Sequence, residues 1–233
     1  MIRFFKGEFL MRKRKFWGWG YEDELLTHEE EKNIDARIAT TFHLDSVERI
    51  NIPDIKDIDL PKSKVKKPQN LKNILSDDKL ELLNHSYGKS FPDSARSILG
   101  YFPNPPDLVA FPKTEKDISI VLDWASSNDL AVVPYGGGSS VCGGVETNVG
   151  DDYKGVISLD MKNLNSIIEV DRESRTALIQ GGIYGPDLEE NLKKHDLTMR
   201  HYPQSFEFST LGGWIATRSG GHYATLYTHI DDF

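Results

Sequence analysis

The stretch Pro134-Tyr-Gly-Gly-Gly-Ser-Ser-Val-Cys-Gly-Gly144 constrains this chain most, because five of its last nine residues are glycine. Glycine loses more freedom on ordering than any other residue. Such a run belongs where the chain turns sharply or needs backbone angles closed to other residues. What precedes it fits. Thr114-Glu-Lys-Asp117 has the form of a helix start, and Ile118, Val121, Leu122 and Ala125 share one helical face ending near Asn128. Leu130-Ala-Val-Val133 then reads as a buried strand closed by Pro134. Helix, strand and glycine loop form one unit.

Glycines 136–138 are expected to take backbone angles closed to other residues and to aim successive amides at one concave point, a nest for a phosphate oxygen. Ser139 and Ser140 add hydroxyl donors, so a pyrophosphate is held without a lysine. No Gly-Lys-Ser/Thr follows, which excludes a Walker loop, and the glycine spacing does not open a helix as a Rossmann fingerprint would. Taken alone, the stretch also suits an ordinary flexible turn.

The rest of the chain divides in two. Residues 1–75 are polar and weakly periodic, interrupted by Pro53, Pro61, Pro68 and the lysines of 62–67, and read as an arm and linker. Residues 76–233 read as a domain. A helix is expected at Asp77–Asn84, strands at Val156–Leu159, Ile167–Val170 and Thr176–Gln180, and a helix from Gly185-Pro186 to about His195. The fold class is α+β.

Charge is uneven: residues 1–75 carry 15 basic against 13 acidic side chains, and 76–233 carry 13 against 23. An acidic domain disfavours nucleic acid, whose phosphates need a basic face. The run Arg12-Lys-Arg-Lys15 with Phe16, Trp17 and Trp19 suits either a solvated tail or peripheral contact with an anionic membrane. There is no apolar run of about 18 residues, and Met1-Ile-Arg-Phe-Phe-Lys lacks the form of a secretory signal, so a cytoplasmic, at most membrane-associated protein is expected. Met11 is an alternative start. Cys142 is the sole cysteine and reads as a small packing residue rather than a nucleophile. His201, His222 and His229 lack i,i+4 spacing and acidic companions, so no metal is expected.

A second motif follows about 70 residues after the loop: His201-Tyr-Pro-Gln-Ser-Phe-Glu-Phe-Ser-Thr-Leu-Gly-Gly213, leading into Trp214-Ile-Ala-Thr-Arg-Ser-Gly-Gly-His-Tyr223. Ser209 and Thr210 precede a short helix from Leu211 and suit either simple capping or an anion on its exposed amides. Together the two motifs resemble the flavin domain of the vanillyl-alcohol-oxidase superfamily, and within it the alkyldihydroxyacetone-phosphate synthase family. Trp17-Gly-Trp-Gly20 and His85-Ser-Tyr-Gly-Lys-Ser-Phe-Pro-Asp93 resemble that family too, and the likeness is weak over residues 25–75.

The resemblance implies a PCMH-type FAD-binding domain of two α+β subdomains, truncated before its end and without the cap domain. It implies Pro134, Tyr135, Gly136, Gly137, Gly138, Ser139 and Ser140 as the pyrophosphate loop. Gln204, Ser205, Phe206, Glu207, Phe208, Ser209 and Thr210 would run along the ribityl chain and isoalloxazine, and Thr217, Arg218, Ser219 and Gly220 would complete the cradle. His222 and Tyr223 stand as residues near the ring or as structural ones. Arg218 is expected to anchor a phosphate or a carboxylate. Many relatives tether flavin to a histidine near the glycine loop, but no histidine lies between His85 and His195, so FAD is expected to be non-covalent. The reaction implied is acyl-for-alkyl exchange in ether-lipid synthesis through a flavin adduct. The alternatives are oxidation of a 2-hydroxy acid and a non-catalytic FAD-binding fragment. Catalytic residues are expected beyond residue 233. Partners are a small-molecule or lipid substrate and, for the complete protein, a second copy of itself.

Overall fold

Thr27 and Glu30 close a reciprocal capping box at the head of α1 (His28–Phe42), a helix that buries none of its residues. The structure is a computed structural model that describes residues 12–222 and 229–233; Met11 and Tyr223 fall outside that set. Reading the first 75 residues as a polar arm overlooks this helix. Its sequence signals were the Thr-x-x-Glu pair and the lack of glycine or proline from 28 to 52. Downstream come β1 (Leu75–Ser76), α2 (Lys79–Asn84), α3 (Phe91–Ile98), β2 (Leu108–Ala110), α4 (Glu115–Ser127), β3 (Leu130–Tyr135), β4 (Gly155–Asp160), β5 (Ile167–Asp171), β6 (Thr176–Ile179), α5 (Gly185–Lys193) and α6 (Leu211–Thr217).

The first four strands form one sheet in the order β1-β2-β4-β3. The β2 and β3 strands run parallel to β4, while β1 pairs antiparallel with β2. Val121 and Ala125 of α4 pack with Leu71, Leu75, Leu108, Leu130, Ile157 and Leu159 in its core. Leu122, placed on the same face by periodicity, is exposed. The strand ahead of the glycine loop is an edge strand and only partly buried, and it does not close at Pro134. Pairing continues through Pro134 opposite Leu159 and Tyr135 opposite Asp160. An edge strand accommodates proline because the outer side of its backbone needs no donor.

A second core joins Ile183, Leu188, Leu192, Leu211, Trp214 and Ile230, with the β5–β6 hairpin contributing Ile167 and Ile179. The chain therefore builds an α+β architecture from two packed units, and the loop after β3 lies where they meet. A third cluster draws the early residues in: Phe16 and Ile58 are buried against Leu83, Tyr87 and Phe102. The Arg12–Lys15 run is accordingly no solvated tail. Arg12 pairs with Asp23 and Glu24, Lys13 with Glu22, and Arg14 forms an antiparallel bridge with Tyr21.

Candidate cofactor-binding site

The glycines of the loop answer two different needs. Only Gly138 of the three adopts a positive φ, at 67°. A Cβ there would also lie 2.0 Å from the Tyr135 hydroxyl. Gly136 and Gly137 are glycine because the second motif presses on them: a Cβ would lie 2.4 Å from Thr210 Oγ1 at Gly136, and 1.9 Å from the Phe208 carbonyl oxygen at Gly137. The expectation that all three supply unusual backbone angles thus holds for one, and close approach explains the others. Two motifs far apart in sequence are in contact.

The loop's carbonyls are held from one side. The Tyr184 hydroxyl donates to Gly136 O at 3.4 Å, and Arg14 Nη1 donates to Gly137 O at 2.9 Å. Burial pushes the Tyr184 hydroxyl's pKa upward, which keeps its proton available, although the nearby Arg14 opposes the shift. Tyr184 reaches the loop because residues 183–185 run beside 209–211, with a bridge between Tyr184 and Thr210. Among the described residues, the amides of Gly137, Gly138 and Ser139 donate to no protein acceptor. Ser140 is committed elsewhere: its Oγ accepts from Gly144 N at 2.9 Å and its carbonyl from Lys89 N at 2.7 Å. Beyond it, residues 141–144 are exposed. Cys142 is among them, which overturns its reading as a packing residue.

Beneath the loop, Tyr135 donates to Asn84 O at 3.0 Å, and its ring lies 4.1 Å from that of His85. His85 is itself buried between the Glu81 carbonyl at 2.7 Å and Asp160 Oδ2 at 3.1 Å. Desolvation raises the pKa of the Tyr135 hydroxyl strongly. These contacts brace the loop rather than offer a reactive group.

The second motif divides its residues between support and surface. Phe206 turns inward and stacks on Trp214 at 6.1 Å, while Phe208 packs under Trp19 and Tyr21. Gln204 and Glu207 are exposed. Ser209 Oγ donates to Ser205 O and accepts from Trp214 Nε1 at 2.7 Å, so it is a buried structural hub. Thr210 caps α6 by accepting from Gly213 N. The expected free amides at that helix start are absent, because Leu211 N donates to Ile183 O and Gly212 N to Gly181 O. The neighbouring chain takes the place an anion would need.

Thr217 ends α6 and Arg218, Ser219 and Gly220 follow it, roughly 10 Å of helix from Thr210. Thr217 Oγ1 donates back to Gly213 O, and Arg218 Nε donates to Asp231 at 2.8 Å. Ser219 Oγ meets His201 Nε2 at 2.9 Å, and Gly220 bridges to His229. His201 is buried, which lowers its pKa and favours the neutral ring. His222 is exposed. The structure therefore joins the Pro134–Ser140 loop to Phe208–Thr210 and sets 217–220 apart. Motif reading missed Arg14, Lys89 and Tyr184, of which only Lys89 lay in a family-like motif.

A glycine loop after an edge strand, braced by the glycine-containing helix α6, is the frame here, and its match to a known family makes the chain a flavin-domain protein. A family model described as "FAD binding domain" matches residues 106–233. The chain belongs to that family and, within it, is similar to alkyldihydroxyacetonephosphate synthases. The synthase of Dictyostelium discoideum is 38% identical over 88% of this chain and 34% of its own length. That of Trypanosoma brucei brucei is 38% identical over 74% of this chain and 29% of its own. A solved synthase structure superposes with a TM-score of 0.80 at 30% identity, covering 94% of this chain and 46% of that one. The glycolate oxidase subunit GlcD of Bacillus subtilis is 33% identical over 69% of this chain and 34% of its own. The chain spans about a third of the length of these curated relatives.

Proposed function

We propose that this chain binds FAD non-covalently, with the pyrophosphate on the Gly137–Ser139 amides, and serves as the flavin domain of an enzyme that exchanges an acyl for an alkyl group in ether-lipid synthesis. The observation that carries the reading is the loop itself: three consecutive amides without protein acceptors, beside a serine hydroxyl and two basic side chains. These residues fit a diphosphate in hydrogen-bond type and in charge. The absence of histidine between His85 and His195 and the enclosure of His85 support non-covalent attachment.

When bound, FAD would supply an electrophilic ring able to carry a group or accept a hydride. This chain's own residues bind and orient. Gly137–Ser139 would hold the anion, Arg14 and Tyr184 hold the carbonyls behind it, and the Phe208 ring lies 5.3 Å from the Arg14 guanidinium carbon. None of the residues described is assigned a catalytic role. Similarity to glycolate oxidase subunit GlcD favours a second reading, oxidation of a 2-hydroxy acid on the same domain.

The test is a visible spectrum of the purified protein, before and after denaturation and ultrafiltration. Flavin colour that passes the filter supports non-covalent FAD, and a protein that takes up no flavin on addition refutes the proposal. For flavin-loaded protein, release of fatty acid from an acyl dihydroxyacetone phosphate on adding a fatty alcohol supports exchange. Dye reduction by glycolate or lactate supports oxidation.

A further inference from the structure

We infer that Arg14 is a positioning residue of the cofactor site, orienting the glycine loop's amides toward an anion and supplying, with Lys89, the positive charge that the loop lacks. The inference rests on the FAD reading above.

The geometry begins with the peptide unit. Every peptide bond described is trans, so each carbonyl points opposite to the N–H of the next residue. Tyr184 holds the carbonyl of Gly136 and Arg14 that of Gly137. The N–H groups of Gly137 and Gly138 therefore face away from Tyr184 and Arg14, toward the side where no protein acceptor meets them. Glycine would otherwise let these peptide planes rotate at little cost. The holding contacts remove that freedom before an anion arrives, which lowers the ordering penalty of binding.

Arg14 is fixed well enough for this task. Its guanidinium carbon lies 4.6 Å from the ring centroid of Tyr184 and 5.3 Å from that of Phe208, and its backbone bridges to Tyr21. A planar fork stacked on aromatic faces loses less freedom per hydrogen bond than an ammonium. Residues 15–19 reinforce the contact: Lys89 Nζ donates to Lys15 O at 3.1 Å, and Trp19 Nε1 donates to Lys89 O at 3.1 Å. Lys89 in turn donates its backbone N–H to Ser140 O, so the same ring of contacts ends on the loop.

Charge points the same way. Arg12 pairs with Asp23 and Lys13 with Glu22, whereas among the described residues Arg14, Lys15 and Lys89 form no salt bridge, Lys15 Nζ donating to the Glu24 carbonyl away from the loop contacts of the other two. Two cations without ion-pair partners sit beside a loop of a protein whose net charge is −8. A diphosphate supplies the missing countercharge.

The experiment measures FAD affinity of the full chain by flavin fluorescence as sodium chloride is raised, for wild type, Arg14→Met, Arg14→Lys and Lys89→Met. Arg14→Met is expected to raise Kd at least tenfold at low salt and to flatten its salt dependence. Arg14→Lys should keep the salt dependence with a smaller loss, and Lys89→Met should flatten it while the backbone bond from Lys89 N to Ser140 O is kept. An Arg14→Met affinity within twofold of wild type overturns the inference, as does a weaker affinity with unchanged salt dependence, which marks a merely structural role. If Arg14→Met fails to fold, Lys89→Met and Arg14→Lys decide: salt dependence unchanged in Lys89→Met, or flattened in Arg14→Lys, overturns it. A wild-type chain that binds no FAD overturns the underlying reading and this inference together, whereas wild-type binding matched by the variants overturns this inference alone.

Discussion

Gly136 and Thr210 meet so closely that a methyl group on the glycine would lie 2.4 Å from the threonine Oγ1. That contact joins two motifs 74 residues apart in the sequence, and it is a testable coupling. Gly136→Ala is expected to destabilise by about 1–3 kcal/mol through overpacking. Thr210→Ala, which deletes the cap on Gly213 N, costs about 1 kcal/mol. The double variant should cost measurably less than the two together, by about 1 kcal/mol, because truncating the threonine makes room for the methyl group. Additive denaturation midpoints would contradict the contact. Gly137→Ala provides the contrast: its Cβ meets backbone, the Phe208 carbonyl, so no side-chain truncation rescues it.

Ser209→Ala removes the acceptor of the buried Trp214 Nε1–H. A buried donor left unpaired costs about 1–3 kcal/mol. The serine also donates to Ser205 O within the same motif. We expect a lowered urea midpoint with an unchanged slope, and an unaltered midpoint would remove Ser209 from the hub.

Phe16 is 4% exposed although it lies in the polar segment 1–75. Phe16→Ala in such a packed cluster should cost about 3–5 kcal/mol. Because Arg14 lies two residues away, FAD affinity should fall as well. A stability loss under about 1 kcal/mol would show that the segment is not docked as described, by comparison with the usual cost of truncating a buried aromatic.

Lys89 has its pKa pushed down to about 8, first by desolvation and then by Arg14. The unfolded ammonium keeps the ordinary value near 10.5. Between these values the unfolded chain binds the extra proton, so stability from this group rises with pH from about 8 to 10.5 and the cost of burying the charge applies in full below pH 8. Wild type should gain stability relative to Lys89→Met across that window. Denaturation at pH 7.5, 9 and 10 checks this, and a difference that stays flat or shrinks would refute it.

Much of the flavin-binding unit was legible because its cues are local. The Thr114 capping box and the Val121 and Ala125 face announced α4, and the apolar run after Asn128 announced β3. Leu122 was misplaced because periodicity marks a face without saying how wide a stripe the sheet covers. The Leu211 helix was legible too, yet its amides were not free, since nothing in that segment reveals that residues 181–183 run alongside. The sequence offers Arg14 only a tail or a membrane contact, because its partners, Gly137, Tyr184 and Phe208, are over a hundred residues away.

What the sequence alone determined was a glycine loop after a strand, because backbone permissiveness and hydrophobic periodicity are properties of adjacent residues; that the loop is flavin-type and belongs with the second motif came from the resemblance of the two to a known family. Only the tertiary structure decided why Gly136 and Gly137 must be glycine, which way the loop's carbonyls are held, and that an early arginine holds one of them. Those depend on which surfaces meet when two cores pack against each other, and close approach between distant segments leaves no periodic signature in either one.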